Sequence, residues 1–175
     1  VYEVIRGLDV PAETRLELID RVNATTFVTA GGQQLDVLYT LEPKVSEAEL
    51  LKIPHYKTGV YTFVNPLLFG ASLAGPIDSV LHDALHTYGE CLGITFQVVD
   101  DMLGMFGTTE ATGKPIVSDM RENKPTLLRH YGFELATPEQ REVLEANFGN
   151  LAAASKQLDE VKAILTDNGA RAKAE

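Results

Sequence analysis

An all-α fold is predicted for this 175-residue chain by three features: apolar residues recurring at helical spacing, two capping boxes, and scarce strand punctuation. The first helix opens after Asp9-Val10-Pro11, with Pro11 suited to a helix first turn and Glu13 near the positive end of the dipole. Leu16, Ile19, Val22, Phe27 and Ala30 then recur along one side. Ser46 followed by Glu49 forms a capping box, in which side chain and backbone satisfy each other's donors, and Pro54 ends that short segment. The spacing predicts a helix from His55 to about Ala74, kinked at Pro66, which lacks a backbone donor.

Gly75-Pro76 precedes a long helical pattern through Leu85, Leu92, Phe96, Val99 and Leu103, closing near Gly107. From Gly107 to Lys124 the pattern lapses into the longest loop of the chain, and a loop of this length in a compact domain is usually functional or disordered. Thr137-Pro138-Glu139-Gln140 is the second capping box, and Leu144, Phe148, Leu151, Leu158, Val161 and Leu165 predict a single terminal helix beyond it. The opening residues, with Val4, Ile5 and Leu8 as an apolar edge, read as the tail of an earlier helix. Without an initiator Met or a signal peptide, they fit a processed start or a piece of a longer chain.

Composition narrows the function classes. A formal charge of -10 leaves no basic face for a nucleic-acid backbone. One cysteine, Cys91, excludes an internal disulfide and a multi-cysteine zinc site, so a reducing, cytoplasmic setting is expected, with Cys91 a small buried apolar residue. The most apolar stretch, Val60 to Ile77, is broken by Asn65, Pro66, Gly70 and Gly75, so no transmembrane segment is expected.

The chemistry concentrates in Phe96-Gln97-Val98-Val99-Asp100-Asp101. Gln97 lies three and four residues before the two carboxylates and shares a helix face with them. Two adjacent carboxylates among apolar neighbours call for a compensating cation, with Mg²⁺ the natural hard ion, although a solvent-facing acidic pair fits the dipeptide equally well. Lys57, Lys114 and Lys124 each read singly as a solvated lysine; beside a magnesium site they supply what a diphosphate needs. Gly31-Gly32 inside a helical pattern calls for a reason such as close packing, and Gln33 and Asp36 face together just beyond. His82 and His86, at i and i+4, lack the glutamate of a zinc-protease helix and read as partly exposed helix histidines.

In order and spacing, these segments resemble the trans-isoprenyl diphosphate synthase, or polyprenyl synthetase, family. The resemblance runs from about residue 1 to 130 through Gly32-Gln33-Gln34-Leu35-Asp36, Lys57-Thr58-Gly59 and Phe96-Gln97-Val98-Val99-Asp100-Asp101-Met102-Leu103-Gly104. It continues through Gly113-Lys114-Pro115, Ser118-Asp119 and Lys124-Pro125-Thr126-Leu127-Leu128.

The resemblance implies an isoprenoid synthase-type helical bundle around a central cavity, usually a homodimer, condensing an allylic diphosphate with isopentenyl diphosphate on Mg²⁺. It implies Asp100 as a metal ligand, with Asp101 ligating through water or supporting it. Lys57, Lys114 and Lys124 become diphosphate ligands, and the loop from Gly107 to Lys124 is expected to close over the bound diphosphate. Thr58 and Gln97 are placed to stabilise the allylic cation, while Gln33, Asp36 and Phe96 line the substrate cavity.

Two departures stand out. The family's second aspartate-rich motif often carries a third Asp where this chain has Gly104, and the first such motif is missing, as are the basic residues for isopentenyl diphosphate. The chain therefore reads as the C-terminal part of a single polyprenyl synthetase domain. Alternatives are a noncatalytic or regulatory subunit of a heteromeric synthase, and more remotely a terpene cyclase.

Overall fold

The computed structural model describes residues 1–42, 44–108, 113 and 116–175. Among these the secondary structure is helical throughout. In chain order the elements are α1 (Tyr2–Arg6), α2 (Ala12–Leu41), α3 (Glu47–Leu50), a π-helical segment (Pro54–Val64), α4 (Asn65–Ala74) and α5 (Ser79–Phe106). They continue as α6 (Ser118–Arg121), α7 (Leu127–Leu135), α8 (Pro138–Asn147), α9 (Ser155–Asp167) and α10 (Ala170–Ala174).

Local signals set many of these boundaries. The Pro11 carbonyl accepts the first backbone bond of α2, from Arg15 N at 3.1 Å. Both capping boxes form, Ser46 with Glu49 at the start of α3 and Thr137 with Gln140 at the start of α8. Pro66 does not kink a uniform helix: the backbone from Pro54 to Val64 is π-helical, and Pro66 falls in the first turn of α4. Its missing N–H thus coincides with a change of hydrogen-bond register, where a lost donor costs least.

The fold comprises two compact units, Val1–Leu35 with Lys52–Thr95, and Asp36–Leu51 with Phe96–Glu175. In the first unit the helices approach through glycine. A Cβ on Gly32 would fall on the Lys57 backbone, one on Gly93 would fall on Gly59 Cα, and one on Gly89 would lie 2.8 Å from Val64 Cα. The reason expected for Gly32 is thereby met, whereas Gly31 has nothing within 4 Å of its Cβ position. Ile5, Leu18, Ile53, Val64 and Leu68 are buried apolar residues of this unit. Asn65 Nδ2 donates to Thr25 Oγ1, and Ser72 Oγ donates to Glu17 Oε1 at 2.9 Å.

Cys91 is exposed, not buried. It lies two residues from both Gly89 and Gly93, two buried positions of α5, and two residues turn a helix by about 200°. His82 and His86 are partly exposed as expected. The Glu90 carboxylate receives His86 Nδ1 at 3.3 Å and His55 Nδ1 at 3.2 Å.

The second unit has a continuous apolar core built by Met105, Met120, Leu128, Leu144, Leu158 and Leu165, none more than 4 % exposed. Each such side chain contributes about 1.5–3 kcal/mol by leaving water. The predicted single terminal helix is in fact α8, α9 and α10. Phe148 is extended and Gly149 takes φ 82°, reversing the chain between α8 and α9. Leu151, part of the predicted stripe, is consequently 77 % exposed. The break is fixed by Arg121, whose Nε donates to the Ala153 carbonyl at 2.8 Å, and by Gly149 N, which donates to the Met120 carbonyl at 2.9 Å. The predicted loop ends in one helical turn, α6. Lys114, and with it the expectation of loop closure, lies outside the described residues.

Candidate active site

On α5 the apolar spacing aims Gln97 and both aspartates along adjoining faces. Gln97 Nε2 donates to Asp100 Oδ2 at 3.3 Å and to Asp101 Oδ1 at 3.0 Å, as the i, i+3 and i, i+4 spacings dictate. Asp100 is exposed and Asp101 is largely buried. Lys124 also reaches Asp101: its Nζ lies 2.8 Å from Asp101 Oδ1 and 3.4 Å from Asp119 Oδ2. One ammonium thus spans two carboxylates, and the same Asp101 oxygen accepts from both Gln97 and Lys124.

The electrostatics follow from burial. Desolvation pushes the Asp101 carboxyl above its ordinary value, and the Lys124 charge only partly reverses this. Burial works against the Lys124 ammonium too, but Asp101, Asp119 and Asp100 together outweigh it and hold the ammonium above its ordinary value.

Sequence reasoning assigned Asp119 no role, yet it completes the cluster. Its carboxylate fills the space beside Gly104: a Cβ on Gly104 would lie 2.5 Å from Asp119 Oδ2. A carboxylate thus stands beside position 104, where the family motif often has its third Asp, but it arrives from α6. The sequence carried Asp119 as part of the Ser118-Asp119 match to the family without a role, and the five-residue step to Lys124 is closed by the Lys124 N–H, which donates to the Asp119 carbonyl at 3.0 Å.

Asn123 was also missed. It adopts φ 53°, donates from Nδ2 to the Thr40 carbonyl at 2.9 Å, and accepts from Arg129 Nε at 2.8 Å. These bonds hold a left-handed residue immediately before Lys124. Thr126 then caps α7, accepting from Arg129 N at 3.1 Å.

Lys57 and Thr58 belong to the first unit, on the π-helical segment, a rare geometry that recurs at functional sites. Thr58 is buried, and the Lys57 backbone is the surface on which Gly32 rests. Gln33 is exposed and Asp36 half-buried, both on α2, while Phe96 is exposed on α5. The second unit therefore brings Gln97, Asp100, Asp101 and Lys124 together, adds Asp119, and holds Asp36 and Phe96 as well. Gln33, Lys57 and Thr58 lie in the first unit.

No three His, Cys, Asp or Glu side chains converge on a metal position among the described residues. The donors nonetheless suit Mg²⁺, which takes one or two carboxylates and completes its shell with waters and substrate phosphates. Asp100 is an exposed oxygen donor, whereas Asp101 and Asp119 are already compensated by Lys124.

The described elements are helical and set a Gln-Asp-Asp face on a long helix with a lysine beside it. The chain is a member of the polyprenyl synthetase family, whose model matches residues 1–166. It is 31% identical to the geranylgeranyl diphosphate synthase of Sulfolobus acidocaldarius over 89% of its own length and 46% of that protein. A solved structure of a putative geranylgeranyl pyrophosphate synthase from Corynebacterium glutamicum matches with a TM-score of 0.86 at 32% identity, covering 94% of this chain and 50% of that one. A geranylgeranyl pyrophosphate synthase structure from the same organism, complexed with isoprenyl diphosphate and magnesium, matches with the same TM-score at 31% identity, covering 94% and 46%. The chain thus spans about half the length of the curated relatives it matches. No described helix is long and apolar enough to cross a membrane.

Proposed function

We propose that this chain is the C-terminal part of a single polyprenyl synthetase domain in a Mg²⁺-dependent isoprenyl diphosphate synthase. The complete enzyme joins an allylic diphosphate to isopentenyl diphosphate in a reducing, cytoplasmic setting. The observation that carries the reading is the Gln97, Asp100, Asp101, Asp119 and Lys124 cluster, which sets an exposed carboxylate beside a lysine held charged. A structural ion pair accounts for Asp101 and Lys124, whereas solvent-facing Asp100 adds only a secondary charge interaction with Lys124.

Asp100 would hold the metal, with Asp101 behind it, and bound Mg²⁺ would stabilise negative charge on the departing diphosphate. Lys57, Lys114 and Lys124 add fixed positive charge around the same anion. Loss of the allylic carbon–oxygen bond leaves its electron pair on pyrophosphate. The Thr58 hydroxyl and the Gln97 carbonyl oxygen turn electron density toward the cation that remains. The isopentenyl double bond supplies the electrons of the new carbon–carbon bond, and the proton then lost passes to pyrophosphate. Gln33, Asp36 and Phe96 belong to the substrate-cavity wall, which shields the cation from water.

The complete enzyme is a homodimer in this reading, and Phe27, Val80 and Tyr88 of the first unit, 81 %, 76 % and 58 % exposed, are apolar residues for such an assembly to cover. Calorimetry on the complete synthase tests the metal–diphosphate reading. An unreactive allylic diphosphate analogue should bind with Mg²⁺ and lose about 100-fold in affinity without it, equivalent to about 2.7 kcal/mol. Affinity independent of Mg²⁺ would refute it.

A further inference from the structure

A second charged cavity opens in the second unit, away from any role in the reaction above. It has a volume of about 420 Å³, and its wall includes Lys44, Arg129, Arg141, Phe133, Phe148 and Glu145. Arg129 is partly buried, its guanidinium lying over the Phe133 and Phe148 rings at 5.0 and 5.7 Å from their centroids. Its Nε donates to Asn123 Oδ1, and no carboxylate among the described residues pairs with it. Arg141 lies over the same Phe133 ring at 5.8 Å and donates from Nη2 to the Phe133 carbonyl.

The charge around this cavity is unbalanced. Arg129, Arg141 and Lys44 line it, together with His130. Of the two carboxylates on the wall, Glu134 is already engaged by Lys173 at 2.9 Å, which leaves Glu145. Burial alone pulls the Arg129 guanidinium below its ordinary value, with no negative group holding it up. Arg129 therefore carries a desolvation cost that ring stacking only partly offsets. A planar fork of donors held on aromatic faces is the geometry that takes an oxyanion in bidentate fashion.

We propose that this cavity binds a phosphate monoester carried on an apolar body, with Arg129 and Arg141 gripping the phosphate and Phe148, Leu50 and Val45 contacting the body. The proposal does not depend on the prenyl-transfer reading. It has a route to the candidate site all the same, because Arg129 holds Asn123, and Asn123 immediately precedes Lys124. A phosphate drawing on Arg129 would therefore be felt at the Asn123 amide.

Nitrogen-15 NMR of the chain, following the Arg129 and Arg141 Nε–H and Asn123 side-chain signals, tests it with inorganic phosphate and phenyl phosphate as probes. Phenyl phosphate should shift all three signals saturably with a Kd of about 1 mM or tighter, and inorganic phosphate should bind about threefold more weakly. Arg129→Gln should abolish the Arg141 shift, with circular dichroism confirming retained helix. Arg141→Gln, at an exposed position on α8 that the fold tolerates, should weaken binding about tenfold. Shifts that fail to saturate, or that survive Arg141→Gln with unchanged affinity, would overturn the proposal. So would equal affinity for the two probes, which would leave no role for the apolar wall.

Discussion

The two units of this chain solve the packing problem in opposite ways. The first holds its helices together by bringing backbones into contact at Gly32, Gly59, Gly89 and Gly93, and leaves Phe27, Val80 and Tyr88 largely exposed. The second interlocks side chains, with Met120, Leu144, Val161 and Leu165 fully buried. Backbone contact has no tolerance for an added methyl group, whereas a side-chain core can relax around modest changes. The difference also shows where charge can be carried. The Asp101, Asp119 and Lys124 cluster sits in the unit that owns a complete core, and that core can bear the cost of burying it.

The comparison breaks most severely at Gly93. Gly93→Ala places a methyl on Gly59 Cα, and should destabilise the chain by about 3 kcal/mol in urea denaturation. A loss below about 1 kcal/mol would show that the helices are free to separate slightly, and the backbone-contact account of the first unit would go with it.

Lys124→Met removes the cation between two carboxylates of the second unit and should cost about 2 kcal/mol at neutral pH. Its pH dependence has a definite sign. The folded pKa of Lys124 is raised, so its contribution is complete below the unfolded value of about 10.4 and disappears as pH climbs through the raised folded value. Tyr131, pushed up to about 12 by burial and by its hydrogen bond to Glu47, acts in the same direction. Wild-type stability should therefore fall above about pH 10, and part of that fall should be missing in Lys124→Met. In acid the gap between the two proteins should narrow, because Asp101, whose pKa burial has raised, takes up a proton and no longer needs a counter-charge. Melting curves across pH read both effects, and a gap constant from acid to alkali would contradict the ion-pair account.

A smaller effect of opposite sign sharpens the contrast within a single Gly-Gly pair. Gly31 has nothing within 4 Å of its Cβ position and sits inside α2, so Gly31→Ala should stabilise by about 0.5–1 kcal/mol. Gly32→Ala, one residue on, should destabilise. Two substitutions of the same sign in the melting temperature would mean that α2 packs otherwise.

These pairs also show which features were legible in the sequence. Ser46 with Glu49 and Thr137 with Gln140 were readable because a capping box is complete within four residues. The Gln97, Asp100 and Asp101 face was readable for the same reason: helical spacing alone brings the groups together. That Gly32 needed a close neighbour could be inferred, but that the neighbour is Lys57 could not, since 24 residues of chain intervene. The break at Phe148 was hidden because Leu144, Phe148 and Leu151 continue a helical phase, and only Gly149-Asn150 signalled a turn. Asp119, though part of the Ser118-Asp119 match, was given no role and Asn123 was passed over, because their contacts with Gly104 and Thr40 are long-range and no local pattern predicts them. The fold class and half of the charged cluster were thus local information, and the remainder depends on tertiary contacts.

The most direct test of the central claim, that Asp100 serves chemistry while the surrounding core serves stability, is Asp100→Ala in the complete synthase, assayed for turnover and for urea midpoint together. Among the described residues the exposed carboxylate accepts a weak bond from Gln97 at 3.3 Å, so the midpoint should not move. Turnover should fall about 1,000-fold, the scale expected when charge stabilisation of a leaving group is removed. Near-native turnover, or a midpoint that drops along with activity, would contradict the account.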